Sequence, residues 1–231
     1  MSKCLCIIPA RSGSKRVKNK NIILLNKKPL IYHTINFAKS LSFVDEIIFS
    51  SDSKRYLNLA KKYKINNLSL RPKNLSDHNS QTIDVIKYEL RKIKKEKDID
   101  YKYILLLQPT TPFREKKVFN NAFKILKDNK LINSVITVNL VNNYHPYRMK
   151  IFKKNLLRNF VDLKKENFIG IRHLPKVYIR SGSMYFFKTE NLTRFKSILG
   201  KKTYGIEVKG KYKLNIDEKE DLILARHYYK K

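Results

Sequence analysis

Cysteine is scarce in this chain, and long apolar runs are missing altogether. The 231 residues include only two cysteines, Cys4 and Cys6. On a strand these would point to one face, and they are too close in sequence for an ordinary structural disulfide. No run of about twenty apolar residues occurs, as a membrane-spanning helix would need. The opening apolar stretch is too short, before Pro9 and Arg11, for a secretory signal. We therefore expect reduced core cysteines in a cytoplasmic protein with no membrane span.

The sequence also lacks the patterns of several common sites. Its histidines show no metal-ligand spacing, which argues against a zinc site; they are His33, His78, His145, His173 and His227. Only six glycines are present, and they form neither a Walker loop nor the three spaced glycines of a dinucleotide fold. A nucleotide site in this chain would therefore need a different kind of loop.

Acidic residues are few, so the balance of charge is strongly positive. The chain has 51 lysine and arginine residues against 19 aspartate and glutamate residues, a formal net charge of +32. Such a balance is typical of nucleic-acid-binding proteins, which are the alternative from another class. The lysines are nevertheless spread over nearly every segment, which favours a solvated lysine-rich surface without a nucleic-acid partner. The same field would steer anionic nucleotides and sugar acids toward a cleft.

Apolar strands and amphipathic helices alternate along the whole chain. The patterns predict helices over 29–41, 54–63, 81–97, 115–127 and 217–228, and strands over 5–8, 46–50, 68–70, 103–107, 135–138, 182–187 and 204–208. This succession predicts a single α/β domain over 1–231, doubly wound around a mostly parallel, Rossmann-like sheet. Such sheets bind ligands at the carboxyl ends of their strands. Three suggestive loops, after Ile8, Ser50 and Leu107, leave such ends.

The loop after the first strand has the composition of a phosphate-binding loop. Pro9 ends the strand ladder because it offers no N–H. Gly13, between Ser12 and Ser14, lets the backbone turn tightly and approach a ligand. The cations that can neutralise a polyphosphate are Arg11, Lys15, Arg16 and Lys20. The alternative is a basic surface turn after an edge strand.

Six blocks of the sequence, in order, resemble those of the acylneuraminate cytidylyltransferases, the enzymes that make CMP-activated sialic acids and related nonulosonic acids. The blocks are PARSGSKR over 9–16 with Lys20 and Asn21, SSDS over 50–53, RP over 71–72, LLQPTTPFR over 106–114, LPKVY over 174–178 with SGSMY over 181–185, and ID over 216–217 with EDL over 220–222. The resemblance spans the chain, and it implies a nucleotidyltransferase that uses CTP and Mg²⁺.

This resemblance assigns nucleotide binding to two parts of the chain. It implies that Arg11 and Lys20 contact the triphosphate and take part in catalysis, and that Asn21 helps to hold the nucleotide. The rest of the phosphate loop consists of Ala10, Ser12, Gly13 and Ser14, with the amides of 12–14 offered to the phosphates. Arg71 and Thr82 fall where the family places pyrimidine-binding groups, although Arg71 is also explained as a turn residue fixed by the following proline.

Sugar-binding and metal-binding residues follow from the later blocks. Gln108, locked by the proline after it, would be an oriented hydrogen-bond donor and acceptor for a sugar acid. Arg172 or Arg180 would pair with the substrate carboxylate, with Ser181 beside them. Asp217 would be a catalytic ligand of Mg²⁺, together with Asn215, which stands where the family usually has a second aspartate. The alternative role of Asp217 is the N-cap of the last helix.

The segment over about 139–180 has no clear period. The resemblance implies an inserted arm here that pairs with the same arm of a second subunit and carries sugar-binding residues across, which predicts a homodimer. The predicted function is activation of a nonulosonic acid with CTP, giving the CMP-sugar and pyrophosphate. The synthetase for CMP-3-deoxy-manno-octulosonate, which shares the fold and the nucleotide, is the alternative among enzymes.

Overall fold

The fold is built on eleven strands, seven of which form one central sheet. The computed structural model describes residues 3–14, 16–77, 80–161 and 170–230. Within them the strands are β1 (Cys4–Pro9), β2 (Leu24–Leu25), β3 (Lys28–Pro29), β4 (Glu46–Ser51), β5 (Asn67–Leu70), β6 (Tyr103–Leu106), β7 (Ser134–Leu140), β8 (Lys150–Lys153), β9 (Leu156–Asn159), β10 (Tyr178–Lys188) and β11 (Thr203–Glu207).

The central sheet is mostly parallel. Its order is β11-β7-β10-β6-β1-β4-β5. The pairs β1/β4, β1/β6, β4/β5 and β7/β11 are parallel, and β10 alone runs antiparallel, between β6 and β7. The predicted fold class, a doubly wound α/β domain, is confirmed. Because β1 and β6 are central, the loops that leave their carboxyl ends meet at the middle of one sheet edge.

Helices connect the strands on both sides of the sheet. They are α1 (Leu30–Lys39), α2 (Lys54–Lys62), α3 (Thr82–Lys97), α4 (Lys116–Asp128), α5 (Asn191–Arg194) and α6 (Lys219–Lys230). The five long helices were predicted, and their ends differ from the prediction by two residues or fewer. Ser53 caps α2, because its hydroxyl accepts a hydrogen bond from the amide of Tyr56. In the part of the chain that is described, no helix is long and apolar enough to cross a membrane.

The residues of β1 are buried on both faces of the sheet. Cys4, Cys6 and Ile8 belong to one apolar cluster, and Leu5 and Ile7 to the cluster on the other face. This alternation follows from the period of two along a strand. Both cysteines are free and buried, and burial raises the pKa of each thiol. The predicted pair of reduced core cysteines is confirmed by this placement.

The segment over 139–180 leaves the sheet and carries a small hairpin of its own. Strands β8 and β9 pair with each other, and the outer ends of β7 and β10 continue side by side beyond the central sheet, with Tyr178 opposite Leu140. Both strands are therefore longer than the predicted 135–138 and 182–187. Residues 162–169 of the predicted arm lie outside the described residues. The hairpin exposes apolar side chains, among them Phe152, which is 79% exposed, and Leu156, which is 66% exposed.

Candidate active site

A cleft of about 450 Å³ opens at the carboxyl ends of β1, β5 and β6. Its walls are the end of β1 and the loop after it, the turn after β5, the start of α3, the loop after β6 and the segment before α6. This is the sheet edge at which the ligand-binding loops were expected. The predicted site residues that line the cleft are Arg11, Ser14, Lys20, Asn21, Arg71, Thr82, Gln108, Asn215 and Asp217.

The loop after β1 is fastened to the end of β4 by an aspartate. The amide and the hydroxyl of Ser12 both donate to the carboxylate of Asp52, each at 2.8 Å, and the amide of Ser14 donates to the carbonyl of Ser12 at 2.9 Å. Two of the three amides expected to face phosphates are therefore already engaged, that of Ser12 by Asp52 and that of Ser14 within the loop. Gly13 is exposed, and a Cβ there would meet nothing within 4 Å. Packing within the protein therefore does not require a glycine at position 13, and the predicted close approach of the backbone to a ligand stays a prediction. Lys15 lies outside the described residues.

Ala10 and Asn21 support this loop from its buried side. The amide of Ala10 donates to the carbonyl of Ser50 at 2.9 Å, and the carbonyl of Ala10 accepts from the hydroxyl of Ser51 at 2.7 Å. The side chain of Asn21 is buried and donates to the carbonyl of Arg11 at 2.9 Å. Asn21 therefore fixes the backbone from which the side chain of Arg11 extends, in addition to lining the cleft.

Three cations reach the cleft from different elements. The guanidinium of Arg11 donates to the carbonyl of Asp77 at 3.1 Å. The ammonium of Lys20 lies 2.7 Å from the carboxylate of Asp217, and Arg71 follows β5. Their convergence on one cleft gives the site the positive charge that a polyphosphate requires.

Arg71 is the most buried of these cations, with 8% of its surface exposed. It donates to the carbonyl of Ser50 at 3.1 Å and to that of Leu75 at 3.4 Å. Burial lowers the pKa of Arg71, and the nearby carboxylates of Asp52 and Glu89 oppose that change. A guanidinium held by two backbone carbonyls presents its remaining donors in a fixed direction.

Asn215 and Asp217 lie together at the edge of the cleft. The amide of the Asn215 side chain donates to Asp217 at 2.6 Å, on the carboxylate oxygen that Lys20 does not contact. The other polar atom of that side chain, Oδ1 of Asn215, is buried and has no hydrogen-bond partner among the described residues. Among the described residues, no group of three or more His, Cys, Asp or Glu side chains could hold a metal ion. His78 is not among the described residues.

The N-terminus of α6 is capped by Asp221, which belongs to the sixth sequence block but was not predicted as a cap. One carboxylate oxygen of Asp221 accepts the amides of Asp217 and Glu218, each at 2.9 Å. The two carboxylate oxygens of Asp217 contact Lys20 and Asn215, and its alternative role as the N-cap of the last helix stays a prediction. The signal for Asp221 was present in the acidic first turn of the predicted helix.

Gln108 is held at the end of β6 by Arg114, an arginine that is half-buried. Arg114 donates to the carbonyl of Gln108 at 2.7 Å and to the hydroxyl of Thr111 at 2.9 Å, and it reaches the carbonyl of Ser183 on β10 at 3.3 Å. Burial lowers the pKa of Arg114 to about 9. Across the loop, Gly182 has a φ of +77° and a Cβ there would lie 3.1 Å from Oε1 of Gln108. Arg114 ends the fourth sequence block, yet it was not predicted as a site residue.

The remaining predicted sugar-binding residues do not line this cleft. Ser181 is buried, and its hydroxyl donates to that of Thr137 at 2.6 Å. Arg180 is exposed on β10, opposite Val138, and Arg172 is exposed in a short turn of the arm. The roles of these three residues in binding a sugar acid stay predictions.

These features are those of a nucleotidyltransferase fold, and comparison with known proteins places the chain in a family. The family model described as Cytidylyltransferase matches residues 5–230, so the chain belongs to the cytidylyltransferase family. It is 34% identical to the CMP-N,N'-diacetyllegionaminic acid synthase of Legionella pneumophila, over 87% of this chain and 84% of that one. It is 29% identical to a pseudaminic acid cytidylyltransferase of Campylobacter jejuni, over 80% and 78%. The predicted resemblance to the nonulosonic acid enzymes is confirmed.

Other relatives are longer than this chain. The chain is 29% identical to the N-acylneuraminate cytidylyltransferase of Escherichia coli over 97% of its own length, but spans 51% of that protein, and it spans 38% of a two-function relative from Helicobacter pylori. A solved CMP:2-keto-3-deoxy-manno-octonic acid synthetase, complexed with CTP, superposes with a TM-score of 0.71 at 15% identity, with 99% of each chain covered. At that identity the structural likeness shows the fold alone.

Proposed function

We propose that this chain transfers the cytidylyl group of CTP to a nonulosonic acid and releases pyrophosphate. The observation that carries the proposal is the composition of the cleft. In a member of the cytidylyltransferase family, one cavity of about 450 Å³ combines the cations Arg11, Lys20 and Arg71 with the amide of Gln108 and the carboxylate of Asp217. Relatives along most of the chain are named for legionaminic, pseudaminic and N-acylneuraminic acids, which supports this substrate class.

The cleft supplies the groups that this transfer requires. The anomeric hydroxyl oxygen of the sugar acid attacks the α-phosphorus of CTP, the bond from phosphorus to the pyrophosphate oxygen breaks, and the hydroxyl proton is released. Negative charge accumulates on phosphate oxygens, where Arg11 and Lys20 would stabilise it. Arg71 would contact the pyrimidine, and Gln108 would orient the sugar acid from the end of β6.

Mg²⁺ is the proposed cofactor, with Asp217 and Asn215 as its protein ligands. The buried Oδ1 of Asn215 lacks a partner among the described residues, and a cation would satisfy it. Mg²⁺ is commonly held by one or two carboxylates together with substrate phosphates, which suits a site with a single carboxylate. When bound, the ion would neutralise charge on the phosphates. The ammonium of Lys20, now on Asp217, would then turn to the triphosphate.

A homodimer is proposed from the arm. The described part of the arm exposes apolar side chains; they include Tyr144, Phe152, Leu156, Leu157, Phe160 and Ile179. Exposed apolar surface on this scale is typical of an interaction site. Pairing of two arms would cover it, and would bring Arg172 or Arg180 of one subunit toward the cleft of the other.

The experiment is an assay of pyrophosphate release with purified protein, Mg²⁺ and CTP. The acceptors would be N-acetylneuraminic, legionaminic, pseudaminic and 3-deoxy-manno-octulosonic acids, and UTP, ATP and GTP would replace CTP in parallel reactions. We expect release with CTP and one or more nine-carbon acids. Equal rates with UTP or ATP would contradict a cytidylyltransferase. Activity with the eight-carbon acid alone would favour the alternative synthetase.

We further place the reaction in the cytoplasm, where CTP is available as a substrate. Fractionation of cells that make the protein, followed by the same assay on each fraction, tests this part of the proposal. Activity recovered only from an extracytoplasmic fraction would contradict it.

A further inference from the structure

A buried carboxylate lies behind the wall of the cleft and has no role in the proposal so far. Glu89 belongs to α3, one turn after Val85, which lines the cleft. It is 1% exposed. One of its oxygens accepts the hydroxyl of Ser50 at 2.6 Å, and the other, Oε2, is buried without a partner among the described residues. A half-satisfied buried carboxylate destabilises a fold unless an opposite charge compensates it.

Ser50 connects this carboxylate to the arginine of the cleft. The hydroxyl of Ser50 donates to Glu89, and its carbonyl accepts the guanidinium of Arg71 at 3.1 Å. The same carbonyl accepts the amide of Ala10, at the base of the phosphate loop. Nε of Arg71 is also buried and unpartnered within the described residues. One serine therefore joins two buried, oppositely charged groups, each with one unused polar atom.

We propose that Glu89 is a positioning residue for base recognition, which orients Arg71 through Ser50 and compensates the charge of its buried guanidinium. The inference rests on the proposed function, because it requires that CTP binds in this cleft. The proposed effect is specific to cytosine. The free donors of Arg71 suit the O2 and N3 acceptors of cytosine, whereas N3 of uracil carries a hydrogen and cannot accept. Loss of the orientation should therefore weaken CTP binding more than UTP binding.

The first test is the substitution Glu89→Gln, which keeps an oxygen for the Ser50 hydroxyl and removes the negative charge. Calorimetry should show the CTP dissociation constant raised about tenfold, a change of about 1.4 kcal/mol. Displacement of CTP by inorganic tripolyphosphate should show an unchanged affinity, within about twofold, because the phosphate loop is untouched. The matched control is Glu96→Gln on the same helix, whose side chain is 52% exposed; it should change neither constant.

The second test is a double-mutant cycle with Arg71→Ala. If Glu89 acts through Arg71, Glu89→Gln should change CTP affinity by less than about twofold in the Arg71→Ala background. A merely structural role would instead weaken CTP and tripolyphosphate alike, in both backgrounds. Should Glu89→Gln fail to fold, Ser50→Ala removes the connecting hydroxyl but keeps the carbonyl, and it should still weaken CTP at least threefold, roughly the loss of one hydrogen bond.

Three results would overturn the inference. The first is an equal CTP affinity in Glu89→Gln and the unchanged protein, and the second is a full loss from Glu89→Gln in the absence of Arg71. The third is an equal weakening of CTP and tripolyphosphate binding by Glu89→Gln. Failure of the unchanged protein to bind CTP has a different meaning, because it would overturn the proposed function itself. The two failures are therefore separated by the measurement on the unchanged protein.

Discussion

On the side of β1, β4 and β5, the cleft is lined by side chains that other parts of the same chain already hold, whereas the two arginines predicted as sugar contacts on the side of β7 and β10, Arg172 and Arg180, are exposed. Arg71 is buried and bonded to two carbonyls. Arg172 and Arg180 are exposed, on or beside strands that leave the central sheet. Arginines are thus predicted to bind substrate on both sides, but Arg71 is already held in place by the protein, whereas Arg172 and Arg180 are exposed.

The proposed site has two halves, one for the nucleotide near β1, β4 and β5 and one for the sugar acid near β7 and β10. The difference between them indicates which half one chain can complete alone. A triphosphate requires donors fixed before it binds, because catalysis of phosphoryl transfer depends on preorganised charge. The half proposed to hold the nucleotide has such fixed contacts, at Asn21 and Arg71. The half proposed to hold the sugar acid carries the exposed apolar arm, which a second copy covers in the proposed homodimer. Substitutions in the two halves should therefore affect different quantities.

The largest effect is expected from Asp217→Ala, which removes the only carboxylate of the proposed Mg²⁺ site. Turnover should fall about a thousandfold, the upper range for losing one charge-stabilising group. The melting temperature should change little, because Asp221 is the cap of α6. Pyrophosphate release in a Mg²⁺ titration and a thermal melt measure the two quantities. Glu218→Ala, at the adjacent exposed position, is the control and should stay active; an active Asp217→Ala protein would remove the metal site.

Arg11→Ala should have the next largest effect. Loss of one cation from the triphosphate site should lower kcat/KM about a hundredfold. The control is Arg16→Ala, in the same loop but with its side chain 70% exposed and paired with the exposed Glu218. Steady-state kinetics with CTP varied would measure both variants. A loss below about threefold for Arg11→Ala, comparable to the control, would show that Arg11 is a surface cation.

Substitutions on the arm test whether the two halves of the site are independent. Phe152→Asp with Leu156→Asp should convert a dimer to a monomer, raise KM for the sugar acid about tenfold and leave the CTP dissociation constant within about twofold. Sedimentation, kinetics and calorimetry give the three quantities. Leu131→Asp places the same charge on an apolar residue that is 67% exposed elsewhere, and it should change none of them. Loss of CTP binding in the arm variant would mean that the nucleotide half is not complete in one chain.

The smallest expected effect is on the pH dependence of stability, through His33, which contacts Tyr229 of α6. His33 contacts the carbonyl of Leu25 at 2.9 Å and the hydroxyl of Tyr229 at 3.0 Å, and burial lowers its pKa, with Arg114 acting in the same direction. Below a pH of about 6.5 the unfolded state therefore binds more protons than the folded state, and stability falls as the pH drops toward the lowered value.

His33→Gln should flatten that part of the stability profile. Thermal melts between about pH 5.5 and 8 should show a smaller loss for His33→Gln than for the unchanged protein, by a few degrees at most. His227→Gln, which alters an exposed histidine of α6, should keep the full loss. Parallel profiles for the unchanged protein and His33→Gln would contradict this prediction.

Local patterns in the sequence were sufficient for the elements and for much of the cleft. Cys4 and Cys6 were predicted as core residues, because that prediction depends on neighbours within a few positions. Gln108 was expected at the cleft because it follows the end of a predicted strand, whereas the role of Asp217 was implied by the family resemblance.

The residues that the sequence did not reveal act over long separations. Asp52 holds Ser12 across 40 positions, and Arg114 reaches Ser183 across 69. Contacts between residues so far apart in the sequence leave no local pattern. In the sequence, Asp52 and Arg114 therefore resemble ordinary surface charges. The arm was unpatterned for another reason. Its strands expose residues on both faces, and without a buried face no period of two develops.

The contact between Gly182 and Gln108 has a consequence for the history of this family. A side chain at position 182 would have to adopt a φ of +77° and would lie 3.1 Å from Oε1 of Gln108, which would have to give way by a few tenths of an ångström. A residue other than glycine at position 182 is therefore disfavoured while Gln108 keeps its place. Across relatives, a lineage that replaced the glycine should also have changed the residue at position 108, and under the proposed function that change would alter how the sugar acid is held.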